Sequence, residues 1–139
     1  MTQRIDTLAA VSSNFDAIVF DQWGVLHDGS APYSGTIDCL ASLANTGQYF
    51  GGPIEILAVL SNSGKRSAPN AARIHDMGFA QSMFAQMMTS GEALWRDIHE
   101  KKVSHTRFFA IERSVGDAAA WVDEIPIKLT NLKMQWLSC

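Results

Sequence analysis

The chain has 139 residues and a mass of 15.2 kDa, which is the length of a single average domain. It is 47% hydrophobic and 18% charged, a composition that excludes disordered, collagen-like and disulfide-rich chains. The net charge of −3 provides no basic field, and no apolar stretch approaches the roughly 20 residues that cross a bilayer. We therefore expect neither nucleic acid nor a membrane as a partner.

The cysteines and the N-terminus indicate the compartment. Cys39 and Cys139 are far apart in the sequence and lack the spacing of a zinc site. We interpret them as free thiols in a reducing environment. The first residues lack the apolar centre of a signal peptide. These features predict a cytoplasmic protein.

The hydrophobic pattern predicts strands that alternate with helices along the chain. The first elements are a short helix over residues 4–13, a strand over 17–20, a helix over 34–44 that Gly47 would end, and a strand over 54–60. A helix capped by Ser67 and closed by Gly78, a strand over 83–88 and a helix capped by Ser90 follow. Shorter strands at 108–111, 127–129 and 136–137, with a helix at 117–122, complete the order. This order predicts an α/β fold with a doubly wound parallel sheet.

Two polar loops follow the first two predicted strands, at residues 21–24 and 61–64. In a parallel sheet, ligands bind outside the carboxyl ends of the strands. Asp21 could act as a nucleophile or hold Mg²⁺ through oxygen, and Gly24 could bring backbone N–H groups close to an anion. The Ser61 hydroxyl and the Asn62 N–H offer two more donors, as phosphoryl transfer requires. Taken singly, an aspartate here is more often a cap or a loop residue, and a Ser-Asn pair is more often a turn.

These residues carry a family resemblance. The segment FDQWGVLHDG at 20–29 resembles the first motif of the haloacid dehalogenase (HAD) superfamily of hydrolases. The segment LSNSGKRS at 60–67 resembles the second motif of its NagD-like, or p-nitrophenylphosphatase-like, branch (subfamily IIA). The similarity extends over residues 15–100 and includes the segments at 77–79 and 89–93.

The resemblance implies a HAD-like Rossmannoid core and a phosphatase of small phosphorylated metabolites. Asp21 would be the nucleophile and would form an aspartyl-phosphate that water hydrolyses. The Asp21 carboxylate and the backbone carbonyl of Trp23 would bind Mg²⁺. Ser61 and the Asn62 N–H would hold the phosphoryl group, beside the Gly24 backbone.

Trp23 departs from the family pattern, which usually has an aspartate there as general acid and base. Because indole cannot supply an acidic proton, we expect slow turnover of poor leaving groups, a different proton donor, or a reaction that needs none. His27 and Asp28 are close enough in sequence to substitute, although turn residues are the commoner interpretation.

The resemblance also implies which parts of the family fold this chain contains. Residues 1–100 would form the N-terminal part of the core and residues 101–139 the beginning of an inserted α/β cap. The C-terminal part of the core would be absent, and with it the family's lysine and acidic-pair motifs. We therefore expect exposed apolar strand surface, and little or no activity from this chain alone.

A second hypothesis is a non-catalytic HAD-fold module that binds an anion or a protein partner, and Trp23 motivates it. A homodimer is compatible with either hypothesis.

Overall fold

The computed structural model describes residues 4–12, 14–49 and 56–130. The first half contains α1 (Ala9–Ser12), β1 (Ala17–Phe20), α2 (Thr36–Tyr49), β2 (Ile56–Ser61) and α3 (Ser67–Asp76). The second half contains a 3₁₀ turn (Gln81–Met83), β3 (Gln86–Thr89), α4 (Ser90–His99), β4 (Arg107–Phe108), α5 (Asp117–Trp121) and β5 (Lys128–Leu129). The predicted α/β class with a parallel sheet is confirmed. The strand expected at 136–137 lies outside the described residues.

The sheet has the order β1-β2-β3, with every pair parallel. Phe20 is in register with Val59, and Ser61 is in register with Thr89. Each strand is joined to the next through a helix, which is the connection that parallel neighbours require. All three strands therefore end at the same edge of the sheet.

One face of this sheet carries the main core. Phe20, Leu57 and Val59 point into it from the strands, and α2 and α3 cover them. The buried members of this core cluster are Phe20, Leu26, Leu40, Leu43, Leu57, Val59, Ile74 and Phe79. The alternation of buried and exposed residues along β2 follows from the two-residue period of a strand.

The opposite face of the sheet is uncovered in the described part of the chain. Val19 is 61% exposed and Leu60 is 56% exposed, and Ile56 is also open to solvent. These side chains come from β1 and β2, whose apolar runs are typical of strands buried on both faces. The predicted exposure of apolar strand surface is confirmed.

A second, smaller core joins α4 to the residues that follow it. Trp95 and Ile98 from α4 pack with Ile125, and Trp121 and Val122 pack around them. The Trp95 indole N–H donates to the carbonyl of Asp123 at 3.0 Å. This packing crosses the domain boundary expected between residues 100 and 101, which stays a prediction.

Several element ends differ from the sequence expectation. Gly47 does not end α2, which continues to Tyr49, because a glycine inside a helix costs only about 1 kcal/mol and need not break it. The first helix is shorter than expected, and the strand predicted over 83–88 begins at Gln86 because residues 81–83 form a 3₁₀ turn. Gly78 closes the turn after α3 as predicted, with a φ of +99°.

Two predicted helix caps are wrong. Ser67 is the first residue of α3 and does not cap it; the N-cap position is Arg66, and the Glu92 carboxylate accepts the Ser67 N–H. Ser90 is the first residue of α4, and the preceding Thr89 caps this helix by accepting the Glu92 N–H at 3.0 Å.

Among the described residues, no helix is long and apolar enough to span a membrane.

Candidate active site

Asp21 and Ser61 lie at the carboxyl ends of adjacent strands. Asp21 directly follows Phe20, which is in register with Val59, and Ser61 is the last residue of β2. Because neighbouring strands are about 4.8 Å apart, the backbones of these two residues meet at one edge of the sheet. The Asp21 side chain is exposed there, whereas Ser61 is buried.

The backbone and side chain of Gln22 fix the chain at Asp21. The Gln22 N–H donates to Asp21 Oδ1 at 2.6 Å. The buried Gln22 side chain accepts a hydrogen bond through Oε1 from Asn70 Nδ2 on α3 at 2.7 Å. The residue after Asp21 is therefore tied to a helix of the main core, and one carboxylate oxygen of Asp21 is already engaged by the backbone.

The loop that follows turns sharply at Gly24, which has a φ of +84°. Its N–H donates to the carbonyl of His27 at 2.9 Å, so the donor expected to face an anion is engaged in the turn. A side chain at Gly24 would meet no atom within 4 Å, and the left-handed backbone is what requires glycine. The backbone of Gly24 thus shapes the loop.

Trp23 projects from this loop and is 61% exposed. Its indole ring lies over Gly29, where a built Cβ would stand 3.4 Å from Trp23 Cζ2. An open aromatic ring therefore occupies the position two residues after the candidate nucleophile.

His27 has a structural role in the same turn. It is only 1% exposed, and its Nδ1 accepts the Gly29 N–H at 2.9 Å. Burial, together with the nearby Arg73 guanidinium, lowers the pKa of His27. The imidazole is therefore neutral at pH 7, with its proton on Nε2, which has no partner among the described residues.

Asp28 closes the turn. Its Oδ1 accepts hydrogen bonds at 2.8 Å from the Ala31 N–H, the Ser30 N–H and the Ser30 hydroxyl. The backbone bonds from Ala31 and Ser30 and the Ser30 hydroxyl bond lower the pKa of Asp28 to about 2. Asp28 is ionised at neutral pH, and His27 is neutral and buried, so neither presents an acidic proton to solvent at this site.

The second loop begins at Ser61. Its Oγ accepts the Ser63 N–H at 3.3 Å, and the Asn62 side chain is exposed. The Ser63 hydroxyl in turn accepts the Lys65 N–H at 3.2 Å. Lys65 extends away to Asp117, with a Nζ–Oδ1 distance of 4.0 Å. These local bonds hold Ser61 and Asn62 in a compact turn at the sheet edge.

Glu92 was not singled out from the sequence. Its carboxylate binds Arg66 Nε at 2.7 Å, the Ser67 N–H at 3.1 Å and Arg96 Nε at 3.2 Å. The Arg66 hydrogen bond is the main cause that lowers the pKa of Glu92 to about 2. The Thr-x-x-Glu spacing at 89–92 matches a capping box and could have indicated the cap at Thr89.

The atoms near Asp21 that could bind a metal ion are oxygens, which suit a hard cation. A carboxylate and a backbone carbonyl at Trp23 are the oxygen ligands that Mg²⁺ prefers. In the part of the chain that the structure describes, no group of three or more His, Cys, Asp or Glu residues is arranged to bind a metal. Asp21 is the carboxylate that directly follows β1 at this edge.

The comparison with protein families identifies the chain. A match to the haloacid dehalogenase-like hydrolases covers residues 18–121, which include both strand-end loops. The chain belongs to this family. The superfamily resemblance is thereby confirmed, and the NagD-like branch stays a prediction.

A solved structure supports the HAD-like fold. The crystal structure of a hydrolase of the haloacid dehalogenase-like family from Brucella suis 1330 matches with a TM-score of 0.71 and 22% sequence identity. The match covers 92% of this chain and 43% of that one, so this HAD-like chain spans less than half of its neighbour's length. A search of curated proteins finds no match.

Proposed function

We propose that this HAD-like chain carries the nucleophile and the phosphate-binding loop of a magnesium-dependent phosphatase of small phosphorylated metabolites. The observation that carries the proposal is the register of β1 and β2, which brings Asp21 and Ser61 to one sheet edge. Membership of a hydrolase family supports a hydrolytic reaction. The finer placement in the NagD-like branch is part of the same proposal.

Asp21 would act through Oδ2, because the Gln22 N–H already engages Oδ1. The carboxylate oxygen forms a bond to phosphorus, and the ester P–O bond breaks with its electron pair leaving on the alcohol or phenol oxygen. Water then attacks the phosphorus, which releases inorganic phosphate and regenerates the carboxylate. The Ser61 hydroxyl and the Asn62 N–H would donate to the phosphoryl oxygens during both steps.

The Asp21 carboxylate and the Trp23 carbonyl would hold Mg²⁺. The ion would neutralise charge on the phosphoryl oxygens. Because the described residues contain no group of three or more such ligands, we propose that Mg²⁺ binds weakly until further ligands are supplied.

Trp23 bears on the choice of substrate. Its indole has no acidic proton, and the turn engages His27 and Asp28. A positioned acid is worth about 10²–10⁴ in rate, so phosphates with weakly basic leaving groups are the favoured substrates.

The uncovered sheet face supports a division of the fold between this chain and further sequence. Val19 and Leu60 would be buried by elements on that face, as in a doubly wound sheet. We propose that a complementary half of the core covers them, that residues 101–139 begin a cap, and that this chain alone is inactive or weakly active. We also propose that the protein is cytoplasmic and forms a homodimer.

The test is the Mg²⁺-dependent release of p-nitrophenol from its phosphate ester, compared between the full-length protein, in which the complementary half of the core accompanies this chain, and its Asp21→Asn variant. Asp16→Asn is the matched control, because Asp16 is also exposed and lies at the opposite end of β1. We expect turnover to be lost in Asp21→Asn and kept in Asp16→Asn. Equal rates in the full-length protein and its Asp21→Asn variant would remove Asp21 as the nucleophile.

Trp23 favours a second candidate, a non-catalytic module that binds an anion. In that case phosphate would stabilise the fold, and no phosphate ester would turn over with any metal. Turnover above background that depends on Asp21 would end this alternative.

A further inference from the structure

The loop after β2 is held against the first turn of α4. We define the β2 loop as residues 62–66. The Gly91 N–H donates to the carbonyl of Ser63 at 3.0 Å, and Thr89 Oγ1 donates to the carbonyl of Lys65 at 2.6 Å. Thr89 is fully buried, so both bonds are shielded from water. The start of α4 thus binds the backbone of the β2 loop directly.

Gly91 permits this contact because it has no side chain. A Cβ built on Gly91 would lie 2.0 Å from the carbonyl oxygen of Gly64 and 2.7 Å from that of Lys65. These are backbone atoms, so a larger residue could fit only if the β2 loop moved away from α4.

Glu92 fixes the far end of the same loop. Its carboxylate is 7% exposed and binds the Arg66 side chain and the Ser67 N–H. The Arg66 guanidinium also stacks on Trp95, with Arg66 Cζ 3.6 Å from the centroid of the indole ring. The β2 loop is therefore bound at Ser63 by Gly91 and at Arg66 by Glu92.

We propose that Gly91 and Glu92 are positioning residues for phosphate binding, an inference that rests on the proposed function. Neither residue would touch the phosphate. Their contacts set the path of the chain from Ser63 to Ser67, and this path fixes where the Asn62 N–H and the Ser61 hydroxyl point. A loop displaced by about 1 Å would lose the convergence of these donors.

The experiment is a titration of the full-length protein, in which the complementary half of the core accompanies this chain, with inorganic phosphate in the presence of Mg²⁺, followed by ¹H–¹⁵N NMR of the loop amides. We expect Gly91→Ala to weaken phosphate binding about tenfold or more and to shift the Asn62 amide signal. Ser90→Ala is the matched control, because it places the same residue at the neighbouring exposed position of α4. We expect it to bind phosphate as the unmodified full-length protein does.

Thermal unfolding separates positioning from general stability. Alanine is a better helix former than glycine, so a Gly91→Ala chain that keeps its melting temperature and loses phosphate affinity supports the proposal. Glu92→Gln is the second variant if Gly91→Ala does not fold. It keeps the shape of the side chain and removes the charge that binds Arg66, and we again expect weakened phosphate binding.

The outcomes are distinguishable. If the unmodified full-length protein binds phosphate and folded Gly91→Ala and Glu92→Gln bind it within about twofold, the positioning role is overturned and the proposed function stands. If only Glu92→Gln folds, its affinity alone decides. If the unmodified full-length protein shows no phosphate binding, the proposed function fails and the positioning role fails with it.

Discussion

Replacing Glu92 by glutamine tests the buried ion-pair network at the start of α4. The Arg66 hydrogen bond, the Ser67 N–H and the Arg96 hydrogen bond together lower the pKa of Glu92 from 4.5 to about 2. A difference of this size stabilises the ionised form by about 3 kcal/mol. Glu92 is only 7% exposed, so solvent screens this stabilisation little. Glu92→Gln, which resembles the protonated side chain in shape, should therefore lower the free energy of unfolding by up to about 3 kcal/mol at pH 7.

The effect should depend on pH in a defined direction. Because the pKa of Glu92 is lower in the folded state, its stabilisation is complete above pH 4.5 and is lost as the pH falls towards about 2. We expect the difference between the chain and Glu92→Gln to shrink to about 1 kcal/mol near pH 3. Urea denaturation at pH 7, 5, 4 and 3, followed by circular dichroism, measures this difference directly.

Glu100→Gln is the matched control. Glu100 directly follows α4, and its hydrogen bond to Lys102 at 2.6 Å lowers its pKa, but this pair is on the surface. Exposed ion pairs contribute little, so we expect a much smaller effect. A Glu92→Gln difference that stays constant from pH 7 to pH 3, or one no larger than that of Glu100→Gln, would refute this reasoning.

Three further predictions concern stability and can be measured by urea denaturation at pH 7. Thr89→Val should lower the free energy of unfolding by about 2 kcal/mol, because it removes the cap of α4 and the bond to the Lys65 carbonyl. Thr89→Ser should keep most of both bonds, and an equal loss of stability in the two variants would contradict this. Asn70→Ala should cost about 1–3 kcal/mol, because it leaves the buried Gln22 carbonyl unpaired, and no measurable loss would show that this bond is dispensable. Phe79→Ala should cost about 3–5 kcal/mol, because Phe79 is fully buried, while the exposed Phe109→Ala should stay within about 0.5 kcal/mol; similar losses would place the core elsewhere.

The strands of the sheet were predictable because their signal is local. The run over residues 17–20 is short, apolar and rich in β-branched residues, and it forms β1 as predicted. Such runs also predict that neighbouring strands are parallel, which is sufficient to bring the ends of β1 and β2 to one edge. The position of Asp21 and Ser61 at that edge follows from this pattern alone.

The contacts that shape the two loops were not predictable in the same way. Glu92 binds Arg66 and Ser67 from a position some 25 residues further along the chain, and only the folded sheet brings these residues together. The approach of Gly91 to Gly64 likewise depends on how α4 packs after β3. Sequence periodicity carries no information about such distant pairs.

The cap of α4 had two candidates that are adjacent in the sequence. Thr89 and Ser90 are both good capping residues, and the prediction placed the cap at Ser90 although the Thr-x-x-Glu spacing also indicates Thr89. Thr89 caps α4 because β3 ends there, in register with Ser61, which leaves its hydroxyl facing the first turn of the helix. The end of β3 therefore determines which of these two adjacent residues caps α4.

The most direct test of a covalent role for Asp21 is mass spectrometry of the full-length protein, in which the complementary half of the core accompanies this chain, after incubation with p-nitrophenyl phosphate and Mg²⁺. The first step of a turnover places a phosphoryl group on the nucleophile, and borohydride reduction before this group is hydrolysed would convert a phosphorylated aspartate to homoserine. We expect this product at position 21 in the full-length protein and in Asp16→Asn, and its absence from Asp21→Asn. A phosphoryl group on another residue, or none on any, would contradict the proposed role of Asp21.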